Sequence, residues 1–243
     1  MNDDIGCGVL DAPQVPKQRY HFIDILRGFA IILMIAFHFG MNLVDWGLAD
    51  RGLINNPILS ILQPIFAGLF ILLSGMSSRF SRSNIRRGVI VLLAAYAVSV
   101  GAWWAGFPIY FGVLHFLGVA MVLYGLAENL LKKIQKRLQP VIYGGFFVFS
   151  YWLFPRSIDI DTNLFLPFGL YNSNRGADYF PLFPWLFLFL FGTWLGTLAK
   201  ENKFPKWFYK IKKIPVLPFI GRHGLVIYLA HQPVMYGVFW LIS

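Results

Sequence analysis

The sequence predicts an all-α protein, a polytopic transmembrane bundle of about seven helices, and three observations predict it. Of the 243 residues, 57% are hydrophobic and only 13% charged, roughly half the charged share of a soluble domain. Apolar runs near the length of about 20 residues that crosses a hydrocarbon core recur along the chain. Basic residues gather in alternate gaps between those runs, where the positive-inside rule puts them.

The first 20 residues are polar, carry Pro13 and Pro16, and lack the basic-then-apolar order of a cleaved signal peptide. They are expected to form a cytoplasmic segment, and residues 21–243 a single transmembrane domain whose first helix is its own insertion signal. The predicted spans are roughly 22–44, 57–76, 88–106, 112–131, 141–154, 182–199 and 219–242. The fifth is short and stops at Pro155. With the N-terminus inside, 18 of the 21 Lys and Arg residues fall in inner segments, leaving Arg51, Arg156 and Arg175 outside. That alternation counts 141–154 as a crossing and puts the C-terminus outside. The expected location is a bacterial inner membrane, and a homo-oligomer is allowed.

The net charge of +10 therefore reads as topology rather than nucleic-acid binding. Abundant Phe (25) and Trp (8) suit lipid-facing helices with interfacial aromatic belts. Cys7 is the sole cysteine, which excludes an internal disulfide and a Cys-based metal site. No HExxH, Walker loop or internal repeat occurs, so no metal is expected. The longest outer loop, about 155–183, holds Asp159, Asp161, Asn172, Asn174 and Asp178.

The first span carries the chemistry. At about 100° per residue, Asp24, Arg27, His38, Asn42 and Asp45 fall within about 60° of one another on the helix wheel. His38 lies roughly 16 Å along the axis from Arg27, which puts Arg27 at the cytoplasmic boundary and His38 in the outer half. Ionisable groups inside a span are costly and mark a functional interior by default. A histidine backed by Asn42 and the Asp45 carboxylate is suited to act as general base or nucleophile, its tautomer held by the acid. Asp24 and Arg27 read equally well as part of that stripe or as snorkelling interfacial groups. His115, near the outer start of the fourth span, either lines a cavity with His38 or bonds a backbone carbonyl. His231, in the last span beside Pro233, either makes a structural hydrogen bond or joins the site. His21 and His223 are expected at the cytoplasmic surface.

Four ordered stretches, RYHFIDILRGFAIILMIAFHF, IYFGVLHFLGV, ADYFPLFPWLFLFLFG and GRHGLVIYLAHQPV, resemble a bacterial membrane protein family. It is related to the catalytic domain of heparan-alpha-glucosaminide N-acetyltransferase. The resemblance runs from about residue 19 to 237. It implies transfer of an acetyl or other acyl group from cytoplasmic acyl-CoA to an extracytoplasmic glycan, glycolipid or amino sugar. The wider clan has a basic residue, ten intervening residues and a His in the first span, as Arg27 and His38 have here. By this resemblance His38 is the catalytic base or carries the acyl group transiently, with Asn42 and Asp45 beside it. Arg27, Arg79, Arg82, Arg86 and Arg87 approach the phosphates of the donor, a role that planar guanidinium suits. Asp178, Tyr179 and Trp185 lie near the acceptor, and Asp24, His115 and His231 join the substrate-binding set. Two other readings fit the same residues. Intramembrane His and Asp also make a proton-coupled transporter, although no repeated half with a matching broken helix occurs. A noncatalytic subunit of an envelope-modifying complex is the third.

Overall fold

The computed structural model describes residues 20–153, 163–170, 178–210 and 215–242. Asp159, Asp161, Asn172, Asn174 and nearly all of the predicted N-terminal segment lie outside the described residues. Those described form α1 (His21–Asp45), α2 (Pro57–Ser78), α3 (Asn84–Trp104), α4 (Val113–Leu131) and α5 (Gln139–Leu153). They continue as α6 (Leu182–Lys200), α7 (Lys206–Lys210), α8 (Val216–Arg222) and α9 (Gly224–Ile242), with no strand among them. Helices α1, α2, α3, α4, α6 and α9 are long and apolar enough to cross a membrane. α5 has 15 residues, a reach of about 22 Å against a core of about 30 Å.

Local signals start and stop these helices where the chain turns. The Asn56 side chain accepts from the Ile58 N–H ahead of Pro57 at the first position of α2, and the Ser83 side chain accepts from the Arg86 N–H at the start of α3. α1 stops before Gly47, whose φ of +69° suits a residue without Cβ. The last predicted span is broken at His223 into a short α8 and a long α9.

Three helix pairs are locked by glycines that bring backbones together. A Cβ on Gly28 would lie 2.1 Å from the Leu217 carbonyl oxygen, and one on Gly221 2.0 Å from that of Asp24, so α8 sits directly on the first turns of α1. Gly75 and Gly192 do the same for α2 and α6, at 2.1 Å from the Phe189 oxygen and 2.2 Å from the Leu72 oxygen. Gly88 and Gly118 join α3 to α4. This is how helices associate where lipid removes the hydrophobic drive. Between the pairs lies a core that includes Ile71, Phe116, Leu117, Phe189 and Tyr228. Val89, Leu93, Tyr96 and Val100 of α3 point outward, an apolar stripe with lipid as its expected neighbour.

The basic gaps meet at one end of the bundle. Tyr20 packs on Phe80 and Tyr209; Arg79 pairs with Glu128 at 3.0 Å; Glu201 accepts from Lys136 and Lys203, which hold its carboxyl down to about 2. The opposite end is aromatic, with Trp46 stacked on Phe239 and Trp104 almost fully exposed.

Two non-helical segments enter the bundle from that aromatic end. From the Gly88–Gly118 crossing α3 runs on 16 residues to Trp104, whereas α4 reaches Val113 in five. The 105–112 connection therefore descends on the order of 15 Å. There the Phe180 N–H donates to the Phe111 carbonyl at 3.0 Å, tying in the segment that precedes α6. Irregular backbone at such depth requires protein around it, and these two segments cover each other.

Candidate functional site

From Asp24 to Asn42 the predicted stripe on α1 faces the interior and meets the C-terminal helices. At the basic end Arg27 pairs with Asp24 at 3.5 Å. It donates to the Gly221 carbonyl at 3.2 Å and to the Ser77 hydroxyl. The Arg87 guanidinium donates to the Ser77 carbonyl at 3.4 Å, so two guanidinium groups from α1 and α3 converge on one serine of α2. Arg79 turns inward too, donating to Tyr124 at 3.3 Å and Glu128 at 3.0 Å, with its Nε buried and without a partner among the described residues. Arg82 and Arg86 are exposed. The five predicted arginines thus share one end, three turned in and two facing out.

Further along α1, the His38 ring lies against His231 of α9, with ring centroids 5.2 Å apart and planes at 51°. His38 is half-buried and has no hydrogen-bond partner among the described residues. About one turn outward, buried Asn42 donates to the Gln232 side chain at 3.1 Å. Asp45 is the last residue of α1 and exposed, about 10 Å beyond His38 along the axis. The titratable neighbour of His38 is therefore His231.

The polar chain continues behind His231. Its Nδ1 meets the Tyr228 carbonyl. The Tyr228 hydroxyl donates to Asp178 Oδ2 at 3.1 Å, which also accepts from the Val113 N–H at 3.3 Å. Asp178 adopts φ of +52°, an uncommon backbone for a non-glycine residue that aspartate tolerates better than most. It brings the entering segment into contact with α4 and α9 together.

The remaining predicted residues sit apart from the His38 ring contacts. His115 Nδ1 accepts from the Gly112 N–H at 3.2 Å, which puts its proton on Nε2, facing the Ser99 oxygen at 3.4 Å. The Ser99 hydroxyl donates in turn to the Ile109 carbonyl at 2.8 Å, so this histidine fastens the descending connection. Tyr179 donates to the Leu166 carbonyl at 2.6 Å, and Trp185 packs on Phe180 and Phe147. Among the described residues no group of three or more His, Cys, Asp or Glu side chains is placed to hold a metal ion.

Sequence reasoning missed Ser77, Tyr228 and Gln232. A helix wheel on the last span carries the signal for one of them. Gly224, Tyr228, His231, Met235 and Phe239 are its buried residues, a stripe at intervals of three and four.

The family model described as heparan-alpha-glucosaminide N-acetyltransferase, catalytic, matches residues 19–233. No curated protein and no solved structure matches the chain.

Proposed function

Because the chain belongs to the heparan-alpha-glucosaminide N-acetyltransferase catalytic family, we propose that it is a membrane-embedded acyltransferase drawing on cytoplasmic acyl-CoA. The acyl group, acetyl in the first instance, passes to an amino sugar or other glycan on the far side of a bacterial inner membrane. The observation that carries this reading is the interior polar column on α1, which has guanidinium groups at one end and, about 16 Å away, a histidine without a hydrogen-bond partner among the described residues.

Each part has a chemical task. Arg27 and Arg87, with Arg79, Arg82 and Arg86 around them, bind donor phosphates in the bidentate manner that guanidinium allows. His38 takes the proton of the attacking acceptor, or carries the acyl group briefly, at a thioester held in the column. Asn42 has a side-chain carbonyl left over from its bond to Gln232 and serves to orient the acceptor. Asp178, Tyr179 and Trp185 shape the acceptor side. Residues 21–243 act as one domain in this scheme, with α5 as the seventh crossing and the basic end in the cytoplasm.

The direct test is incubation of purified protein with radiolabelled acetyl-CoA and a panel of amino sugars. Label is expected in a sugar product; wild type no better than the protein-free background across several acyl chain lengths would overturn the reading. Substrate flux into proteoliposomes without any acyl donor would support a transporter instead.

Two further outcomes are expected. Arg87→Lys keeps the charge but loses the planar fork at Ser77, so acetyl-CoA affinity should fall about tenfold, or about 1.4 kcal/mol, while membrane insertion stays normal. Arg86→Lys, at an exposed position, should shift it by less than threefold. Isothermal titration of both variants reads the difference. For topology, a maleimide that cannot cross membranes should label Cys7, the sole cysteine, only after cells are opened. Labelling of intact spheroplasts would reverse the orientation.

A further inference from the structure

His231 is a buried histidine whose protonation pattern can be read from its partners. A carbonyl oxygen only accepts, so the ring nitrogen against the Tyr228 carbonyl, Nδ1, carries the proton. In the neutral ring, Nε2 then presents a bare lone pair. That atom is buried and has no hydrogen-bond partner among the described residues, an arrangement that native interiors seldom leave without a use. The next ring is that of His38, which also lacks a hydrogen-bond partner among the described residues. The centroid separation of 5.2 Å is about that of two imidazoles joined by an N–H···N bond, namely one hydrogen-bond length of about 3 Å plus a centroid-to-nitrogen radius of about 1.1 Å on each side. Rotation of the His38 ring about χ2, a soft torsion, is the adjustment by which the two rings would form such a bond.

We propose that His231 is the positioning residue of His38: its bare Nε2 accepts the His38 ring N–H and leaves the lone pair of His38 on the nitrogen that faces the reacting groups. His231 thereby does what a carboxylate does for other catalytic histidines. The remaining contacts make it rigid enough for this. Tyr228 holds His231 through its backbone carbonyl while its hydroxyl is tied to Asp178, itself fixed by the Val113 N–H. One line of contacts thus runs from the entering segment through α9 to α1.

The proposal rests on the acyltransferase reading of His38. In that reaction the acceptor O–H or N–H gives its proton to the outward nitrogen of His38 as the new bond forms to the thioester carbon. The C–S bond breaks, and the same proton leaves His38 for the CoA sulfur, so His38 ends as it began. Throughout, the inward N–H of His38 stays bonded to His231, which neither gains nor loses a proton.

Two substitutions separate positioning from bulk. His231→Asn keeps an N–H for the Tyr228 carbonyl but has nothing at the Nε2 position. His231→Gln places an amide at that position, whose oxygen accepts as Nε2 does. The five histidines permit 15N-histidine NMR of the full chain in nanodiscs, with His38 assigned by its loss in His38→Asn. Wild type should show His38 as one neutral tautomer, His231→Asn a mixture, and His231→Gln the single tautomer again. With acetyl-CoA and glucosamine as probes, His231→Asn should lower kcat at least tenfold with less than a twofold change in KM for acetyl-CoA, and Gln should recover it to within threefold of wild type. An unchanged His38 tautomer in His231→Asn overturns the proposal, as does equal impairment of Asn and Gln. Wild type inert toward every amino sugar defeats the acyltransferase reading instead, and the NMR result then decides the His38–His231 contact on its own.

Discussion

His38→Ala is expected to lower acyl transfer by about 10²–10⁴-fold, the range that a positioned proton acceptor supplies, equivalent to about 3–5.5 kcal/mol of barrier. The loss should be catalytic rather than structural. His38 is half-buried and makes no hydrogen bond among the described residues, and its contacts are rings, those of Phe37 and His231. The one polar atom that truncation can strand is His231 Nε2, which has no hydrogen-bond partner among the described residues. The melting temperature in detergent should stay within a few degrees of wild type. Asp45→Ala is the natural contrast. The carboxylate shares the wheel face of His38 but is exposed at the end of α1, so activity should remain within twofold. Side-by-side transfer assays settle both. Equal activity of His38→Ala and wild type would remove His38 from the chemistry, and a large loss in Asp45→Ala would restore the carboxylate as its partner.

Gly75→Val should be strongly destabilising although it lies outside the site. The new Cβ would lie 2.1 Å from the Phe189 carbonyl oxygen and 3.2 Å from the Gly192 Cα. Both neighbours are backbone of α6, so no side chain can swing aside; the helices must part. Overpacking of a core costs about 1–3 kcal/mol when side chains can adjust, and a backbone wedge should exceed that. Helices α2 and α6 would lose their shared surface around Leu72, Gly75, Phe189 and Gly192. Gly145→Ala on α5 is the control, since its Cβ meets nothing within 4 Å. There the expected effect is a gain of about 0.4–1 kcal/mol from reduced freedom of the unfolded chain. Thermal unfolding of the two variants in one detergent tests the pair, and similar melting temperatures would refute the glycine-contact account.

Helix positions were legible because lipid demands long apolar runs, and these stand out in any sequence whose gaps are basic. The stripe on α1 was legible for a related reason. Periodicity reports which face a residue occupies, and Arg27, His38 and Asn42 do share an interior face. It does not report what stands opposite. The carboxylate seven residues along looked like the partner of His38, whereas His231, 193 positions away, is the ring in contact. The break at His223 was hidden because α8 is apolar as far as Gly221 and its separation depends on Gly28 and Gly221 letting it dock on α1. The descent of 105–112 was hidden too. Phe107, Pro108 and Ile109 read as a short outer gap between two ordinary spans, and only the crossing point of α3 and α4 shows how deep the connection goes.

The docking of α8 and α9 on α1 also sets a timetable for biogenesis. Helix α1 leaves the ribosome bearing Arg27 and His38 ahead of their partners Gly221 and His231, which lie 194 and 193 residues later. At roughly 5–20 residues per second of synthesis, α1 waits on the order of 10–40 s for them. For that interval the nascent chain carries a guanidinium short of its Gly221 contact and an imidazole without His231 in or beside lipid, the situation in which membrane chaperones and quality-control proteases act. A nascent chain stopped before residue 216 should therefore be degraded faster than one stopped after 242, because only the longer one supplies the α8 and α9 contacts of α1.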